Sequence, residues 1–376
     1  MNRYINILLI VLIAWLSVCC CVNKGPKCDL FPTLDYAPTK ATGFAIYADS
    51  EGNKLLRVTR PWQGESPEEQ SLAIFTNSEA AKGYNGQAIV GPAEHVVCMS
   101  TSYVAMLDAL GLTDAIVGVS GKQYVTNERV RNNTEVRDVG YDSSLDFESM
   151  LLVDADLVIL YGVSAENSAV TSKLREIGIP YIYLGDYTEQ SPLGKAEWVV
   201  AIAEIMGSRE RGEELFASIS ERYEAVKASV TRDNNAKRVM FNLPYQDVWY
   251  MPSDDSYMVQ LIEDAGGEYI YKGKNTSSAS CGISLEEAIS LVSCADVWLN
   301  VGQCTTLDEV RSSAPLFSTM DVVVRGEVYN NNRRRGNGGG SDFWESAIVR
   351  PDIVLQDLVN ILNGRSEELY YHHKLQ

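Results

Sequence analysis

The sequence has few histidines, and its cysteines lack the spacing of a metal site. It contains three histidines in 376 residues, and no Cys-x-x-Cys pair supports a zinc site. The body of the chain contains four isolated cysteines, Cys98, Cys281, Cys294 and Cys304. Isolated cysteines are usually small buried hydrophobic residues and not functional groups. A disulfide bond between Cys281 and Cys304 stays open as an alternative in an oxidising compartment. We therefore expect no intrinsic metal site or cofactor.

Positive charge is also scarce. The chain has 32 Lys and Arg residues against 50 Asp and Glu residues, which gives a net charge of -18 at pH 7. A surface that binds nucleic acid has to neutralise phosphates with basic side chains, so this balance excludes nucleic acid as a partner. The acidic composition is consistent with a solvated, exported protein.

Common catalytic motifs are absent from the sequence. The string nearest to a G-x-S-x-G nucleophile elbow is Gly118-Val119-Ser120-Gly121, in which a glycine follows the serine directly. There is no P-loop and no H-E-x-x-H pair. We therefore expect a binding protein and not an enzyme. A hydrolase with scattered carboxylates and a surface interaction protein are the alternatives.

The chain has one long apolar run, and it lies at the N-terminus. Residues 5–16 are too few to span a bilayer, and they lead into three consecutive cysteines. This arrangement resembles a bacterial lipoprotein signal, in which the cysteine is diacylated and becomes the new N-terminus. We predict a signal region over 1–21 with lipidation at Cys19, or alternatively at Cys20 or Cys21. Two acyl chains attach a protein stably to a membrane, so we expect a periplasmic protein anchored by lipid.

The rest of the chain divides into five segments. Prolines and polar residues over 22–42 predict a tether, and the apolar-polar alternation within 43–93 predicts an antiparallel β segment. Strands alternating with helices over 94–192, and again over 233–366, predict two Rossmann-like α/β lobes with parallel sheets. Between the lobes, residues 193–232 have helical spacing without a strand signal. The fold class is therefore α/β, with one long helix joining the lobes.

Three local patterns, which occur in order along the chain, carry a family resemblance: DFESMLLVDADLVIL at residues 146–160, ISLEE at 283–287 leading to ADVWL at 295–299, and SDFWE at 341–345 followed by RPD at 350–352. Together with the order of lobe, helix and lobe, they resemble the solute-binding proteins of ABC importers for ferric siderophores, haem and cobalamin. The resemblance covers residues 94–365 and implies a rigid linking helix. The N-terminal β segment departs from the family's minimal plan.

The resemblance implies a role for two glutamates at equivalent points of the two lobes. Glu148 and Glu286 each stand at the start of a predicted helix. In the family, one such glutamate per lobe contacts arginines of the membrane permease. Exposed carboxylates far apart on one face would orient the protein and speed its encounter with a cationic partner. The alternative is that each glutamate only stabilises the N-terminus of its own helix.

The ligand is expected in a cleft at the carboxyl ends of the parallel strands of both lobes. Aromatic side chains that follow those strands suit a large flat ligand, and the candidates are Tyr124, Tyr141 and Tyr161 in the first lobe and Tyr245, Trp249, Phe343 and Trp344 in the second. The resemblance implies an iron chelate, either a siderophore or haem, or a corrinoid such as cobalamin. The expected partners are this chelate and an ABC permease.

Three consecutive arginines stand in a stretch rich in Asn and Gly. They occupy residues 333–335 within 330–340. Guanidinium groups pair with carboxylate or phosphate through two parallel hydrogen bonds, so we predict Arg333 and Arg335 as contacts to an anionic ligand. A solvated loop without a partner is the alternative.

Overall fold

The computed structural model describes residues 30–376 except 65–67, 142–143, 164, 232–234 and 276–279. The predicted lipidation site at Cys19, Cys20 or Cys21 lies outside the described residues, as does the first part of the predicted tether. Within the described part of the chain, no helix is long and apolar enough to cross a membrane. The chain forms an N-terminal sheet followed by two α/β lobes.

The N-terminal region is a five-stranded sheet whose strands lie side by side in chain order: β1 Thr33–Tyr36, β2 Phe44–Ala48, β3 Lys54–Val58, β4 Gln70–Phe75 and β5 Gln87–Val90. The first four strands pair antiparallel, as predicted, whereas β4 and β5 pair in parallel. The sheet borders the first lobe, where the backbone N–H of Tyr181 donates to the side chain of Gln87 at 3.0 Å.

The first lobe is built on five strands: β6 Val96–Cys98, β7 Ile116–Val119, β8 Arg137–Asp138, β11 Leu157–Tyr161 and β12 Tyr181–Leu184. They lie in the order β12-β11-β6-β7-β8, and all pair in parallel. Its helices are α1 Thr101–Ala109, α2 Glu128–Asn132, α3 Phe147–Leu152 and α4 Ser168–Ile177, and a short antiparallel pair, β9 Gly140–Tyr141 and β10 Ser144–Leu145, follows β8. The predicted parallel α/β lobe is therefore confirmed.

Two helices connect the lobes, α5 Pro192–Ile205 and α6 Arg209–Ala228. Every residue of α5 except Lys195 is buried, whereas α6 buries a single stripe. Gly212 lies in that stripe and packs closely on α5. A Cβ atom at this position would lie 2.5 Å from the Cβ of Ala203. Near its other end, α6 contacts the second lobe through Tyr223, whose hydroxyl donates to Asp264 at 2.7 Å. The long helix thus links the lobes, as predicted.

The second lobe repeats the plan on five strands: β13 Arg238–Phe241, β15 Glu268–Tyr269, β17 Val297–Leu299, β18 Val328–Asn330 and β19 His373–Lys374. They lie in the order β15-β13-β17-β18-β19, and only β19 is antiparallel to its neighbour. Its helices are α7 Tyr257–Asp264, α8 Leu285–Val292, α9 Leu307–Ser313, α10 Asp321–Val324 and α11 Pro351–Leu362, and β14 Trp249–Met251 pairs with β16 Cys281–Ile283. Cys281 and Cys304 are free thiols.

The predicted end of the second lobe at residue 366 is wrong, because the chain returns to the sheet as β19. The carboxylate of Asp357 on α11 holds the returning segment. It accepts hydrogen bonds from the backbone N–H groups of Tyr370 and Tyr371 at 2.7 Å and of His372 at 2.9 Å. A buried carboxylate that satisfies three backbone donors fixes the C-terminal residues as part of the lobe.

The predicted tether is also wrong for the residues that the structure describes, since β1 joins the sheet and the segment after it is bound to α5. Glu197 on α5 is fully buried. Its carboxylate accepts hydrogen bonds from the backbone N–H groups of Thr39 at 2.7 Å, Lys40 at 2.6 Å and Ala41 at 2.7 Å. Ionised acceptors make hydrogen bonds roughly twice as strong as neutral ones.

A second buried carboxylate continues this contact. Glu189 accepts from the backbone N–H groups of Thr42 and Gly43, both at 2.9 Å, and from the indole N–H of Trp198 at 3.0 Å. We call the contact of residues 39–43 with Glu189 and Glu197 the amide clamp. Because it engages five consecutive backbone amides, it joins the N-terminal sheet firmly to the helices between the lobes.

Candidate functional site: a cleft between the lobes

Three predicted ligand-contacting tyrosines lie at one edge of the first lobe. Tyr124 ends a 3-10 turn after β7, Tyr141 lies in β9 directly after β8, and Tyr161 ends β11. Because parallel strands end at a common edge, the three side chains lie along it. They are 43%, 42% and 37% exposed, and the Tyr124 and Tyr141 ring centroids are 6.4 Å apart. The sheet topology therefore brings the three tyrosines to one edge, and their role in ligand binding stays a prediction.

The second lobe presents aromatic side chains of its own. Tyr245 follows β13 and is 64% exposed, and Trp344, in the 3-10 turn Asp342–Trp344, is 59% exposed. Phe343 is buried behind Trp344, with ring centroids 5.0 Å apart in an edge-to-face arrangement. This contact limits the freedom of the Trp344 ring and leaves much of the indole accessible.

Tyr161 and Trp344 face a common cavity of about 330 Å³, which we call the aromatic cavity. Its lining comes from the first lobe, from the start of α5 and from the second lobe: Ser100, Thr101, Ser102, Tyr161, Asp186, Tyr187, Pro192, Lys195, Tyr257, Leu261, Phe343, Trp344, Ala347, Ile348, Pro351 and Val354. Apolar walls with a few convergent polar groups are typical of sites for small organic ligands.

A buried polar cluster lies in the wall of the aromatic cavity. The ammonium of Lys195 donates to the backbone carbonyl of Asp186 at 2.8 Å and lies 4.9 Å from the ring centroid of Tyr257. The hydroxyl of Tyr103 donates to the Asp186 carboxylate at 3.3 Å. Burial raises the pKa of Asp186 and lowers the pKa of Lys195. Both charges are thus disfavoured here, and both groups offer hydrogen bonds to polar parts of a ligand.

Among the contacts between the lobes, one buried carboxylate lies beside the cleft. Glu345 of the second lobe accepts from the backbone N–H groups of Thr126 at 2.6 Å and Asn127 at 2.7 Å, both in the first lobe. The backbone of Gly340 packs so closely on the carbonyl of Tyr124 that a Cβ atom would lie 1.9 Å from the oxygen. We call the hydrogen bonds of Glu345 to Thr126 and Asn127 the lobe latch.

Comparison with known proteins identifies this architecture. Residues 96–332 match the periplasmic binding protein family. The chain belongs to this family. The matched span begins at β6 and ends just after β18, so the N-terminal sheet of this periplasmic binding protein lies outside it.

Individual relatives of this periplasmic binding protein are distant. An uncharacterized lipoprotein of Methanocaldococcus jannaschii is 22% identical over 350 residues, which are 89% of this chain and 79% of that protein. The Fe(3+)-citrate-binding protein YfmC of Bacillus subtilis is 20% identical over 245 residues, 65% of this chain and 75% of that protein. The periplasmic heme-binding protein RhuT from Roseiflexus sp. RS-1, in apo form, superposes with a TM-score of 0.56 at 20% identity and covers 73% of this chain and 99% of its own. That likeness shows the shared fold.

One predicted ligand contact of the binding protein is wrong. Trp249 is fully buried, and its indole N–H donates to the backbone carbonyl of Phe241 at 2.7 Å. Its ring packs against Trp298 and Phe317, with centroids 5.4 Å and 5.0 Å away. Trp249 is therefore a core residue of the second lobe, because a buried indole needs both apolar neighbours and a hydrogen-bond acceptor.

Arg333 and Arg335 do not line the aromatic cavity with Tyr161, Phe343 and Trp344. Both line a second, larger cavity of about 990 Å³ that shares no lining residue with the aromatic cavity. The structure therefore separates these arginines from the three aromatic residues, although the sequence predicted all of them in one cleft, and Tyr124, Tyr141 and Tyr245 line neither cavity. The segment 342–350 stands between the cavities.

The predicted docking glutamates are both exposed in the first turn of a short helix. Glu148 lies in α3, whose N-cap Asp146 accepts from the Ser149 N–H at 3.0 Å, and Glu286 lies in α8, capped by Ser284. Hydrogen bonds from the start of α8 lower the pKa of Glu286. Both carboxylates are therefore available to a partner, and the helix starts give each a local stabilising role as well.

Four polar or aromatic side chains of the aromatic cavity were not predicted from the sequence: Asp186, Tyr187, Lys195 and Tyr257. Tyr187 follows β12 just as Tyr161 ends β11, so the rule that selected the other tyrosines applies to it. No local pattern marks Lys195 or Tyr257, because they lie inside helical stretches and reach the cavity only through the packing of α5 and α7.

Proposed function

We propose that this periplasmic binding protein captures a bulky, flat metal chelate between its lobes and delivers it to an ABC permease. The observation that carries the proposal is a set of exposed aromatic side chains on the facing edges of both lobes, with Tyr161 and Trp344 in one cavity. Large exposed apolar surfaces mark binding sites, because leaving them in water is unfavourable. Ring faces from opposite sides suit a planar macrocycle or an aryl siderophore.

The chemical class of the cargo follows from the same site and from the relatives. The heme-binding and Fe(3+)-citrate-binding relatives support an iron complex, either haem or a siderophore, as the first candidate, and cobalamin is the second. The polar cluster of Lys195 and Asp186 supplies hydrogen bonds for the substituents of such a ligand. The iron or cobalt belongs to the cargo.

Delivery and anchoring complete the proposal. Glu148 and Glu286 dock the two lobes against basic pockets of the permease, which is supported by their exposure. A diacyl anchor at Cys19, Cys20 or Cys21 holds the protein in the periplasm at a bacterial membrane, which the lipoprotein relative supports. The function is thus transport and not catalysis.

The proposal is tested by titrating the protein with hemin, ferrichrome, ferric citrate and cyanocobalamin while tryptophan fluorescence is recorded. At least one chelate should quench saturably, because Trp344 lies exposed at the cavity. Trp344→Ala should weaken that affinity about tenfold, or about 1.4 kcal/mol, through lost stacking. Tyr47→Ala, in the N-terminal sheet, is the matched control and should not change it. No saturable response to any of the four chelates would overturn the proposal.

A further inference from the structure

The larger cavity, of about 990 Å³, is lined by six arginines, and we call it the arginine cavity. It lies between the lobes and the linking helix, because its arginines come from all three parts of the molecule: Arg131 on α2, Arg222 on α6, and Arg333, Arg334, Arg335 and Arg350 in the second lobe. Six of the 32 basic residues of an acidic chain therefore converge on one opening.

A packed partition separates the arginine cavity from the aromatic cavity. Along the segment 342–350, Asp342, Glu345 and Arg350 face the arginine cavity, whereas Phe343 and Trp344 face the aromatic cavity. Helix α1 is divided in the same way, since its start lines the aromatic cavity and its end lines the arginine cavity. The arginine cavity is thus a site distinct from the proposed cargo site.

Half of these arginines already have carboxylate partners. Arg131 pairs with Glu128 at 3.4 Å. Arg222 and Arg334 pair with Asp352 at 3.0 Å and Asp342 at 2.7 Å. For Arg333, Arg335 and Arg350 the salt-bridge distance of 4.0 Å is reached by no Asp or Glu in the described part of the chain. Arg333 donates to the backbone carbonyl of Leu369. Hydrogen bonds from Thr305 and, after them, the charge of Arg335 lower the pKa of Glu309. Among the three, only Arg335 therefore has a nearby carboxylate in the residues that the structure describes, and it lies beyond salt-bridge distance.

Two of the guanidinium groups are held in place. Arg334 and Arg350 lie over the ring of Tyr370, 4.4 Å and 4.5 Å from its centroid, and Arg350 also donates to the Tyr370 hydroxyl at 2.8 Å. The backbone N–H of Tyr370 donates to Asp357 at 2.7 Å. Arginines positioned in this way lose little entropy when they bind an anion.

We propose that the arginine cavity binds a small multivalent oxyanion, with carboxylate or phosphate groups, between the lobes and the linking helix. Planar guanidinium groups bind both kinds of oxyanion through paired hydrogen bonds. The ligand pairs with Arg333, Arg335 and Arg350, for which no Asp or Glu in the described part of the chain lies within salt-bridge distance. Because the site is separate from the aromatic cavity, this proposal does not rest on the chelate.

The experiment is isothermal titration of the full chain with two probes, tricarballylate for carboxylates and pyrophosphate for phosphates. At least one should bind saturably, and its affinity should fall as the NaCl concentration rises. The double variant Arg335→Gln, Arg350→Gln should bind at least about tenfold more weakly, which is about 1.4 kcal/mol. Arg129→Gln removes the same kind of charge on α2 outside the cavity and should not change binding.

The outcomes separate this proposal from the proposed function. Binding of either probe, lost in the double variant and kept in Arg129→Gln and Trp344→Ala, supports the arginine cavity and names the oxyanion. Neither probe binding at low ionic strength, or equal binding by wild type and the double variant, overturns it. Chelate quenching in the double variant should equal that of wild type in either case, so failure of the cargo hypothesis is recorded separately.

Discussion

The amide clamp and the lobe latch use the same chemistry at two joints of the molecule. In each, a buried carboxylate of one region accepts hydrogen bonds from the backbone N–H groups of another. The clamp engages five consecutive amides through Glu189 and Glu197, whereas the latch engages two through Glu345. The difference teaches that hydrogen bonds to buried carboxylates hold the N-terminal sheet through more backbone amides than they hold the two lobes together.

The largest effect is expected at the amide clamp. Glu197→Gln replaces an ionised acceptor by an amide whose NH₂ group faces backbone donors, and buried amides lose their partner. The free energy of unfolding should fall by about 3–5 kcal/mol, the range for breaking a buried charged contact. Urea unfolding followed by circular dichroism measures it, with Glu221→Gln on the exposed side of α6 as the matched control. Equal stability of the two variants would show that the clamp contributes little.

A smaller and more local effect is expected at the lobe latch. Glu345→Gln should lower the free energy of unfolding by about 1–3 kcal/mol, because one backbone donor is left unsatisfied. Hydrogen exchange of the Thr126 and Asn127 amides should accelerate, while the amides of Lys40 and Ala41 in the clamp keep their protection. Acceleration at both joints, or at neither, would remove the distinction between them.

Acid should weaken the second lobe around β19. Burial lowers the pKa of His373 in β19, and its Nε2 lies 2.7 Å from the side chain of Asn332, which directly precedes the three arginines. The unfolded chain binds a proton near pH 6.5, so stability is constant above that pH and falls as the pH drops towards the lowered folded value. His373→Gln should remove this loss, whereas the exposed His95→Gln should keep it, as measured by hydrogen exchange of β18.

The smallest effect on stability is expected for the exposed carboxylates of Glu148 and Glu286. Replacing Glu148 and Glu286 together by Ala should change the free energy of unfolding by no more than about 0.5 kcal/mol each, as for other exposed sites. Chelate affinity should persist, but uptake through the permease should fall. The double variant Glu135→Ala, Glu268→Ala removes two exposed charges elsewhere and should transport normally. Wild-type uptake by the Glu148 and Glu286 variant would contradict the docking role.

The lobes and the linking helix could be predicted from the sequence, because the spacing of apolar residues along the chain differs between strands and helices. The tyrosines at 124, 141 and 161 could be placed because parallel strands end together. The tether prediction failed because residues 39–43 are fixed by Glu189 and Glu197, about 150 residues later in the chain.

Trp249 and the arginines show the same limit at the site. Tertiary packing alone decides that Trp249 is buried and Trp344 exposed, since both are tryptophans near the ends of strands or turns. The separation of Arg333 and Arg335 from the aromatic cavity depends on a partition formed by packing of residues 342–350 against α1. Neither the burial of Trp249 nor the position of these arginines can be predicted from neighbouring residues in the sequence.

The central claim, that a chelate binds between the lobes against exposed aromatic rings, is tested most directly by ¹⁹F NMR of the protein labelled with 5-fluorotryptophan. Trp344→Phe and Trp249→Phe assign the two resonances. At saturation with the chelate that quenches fluorescence, the Trp344 resonance should shift or broaden, while the buried Trp249 resonance should remain. An unchanged Trp344 resonance in the saturated protein would contradict the account.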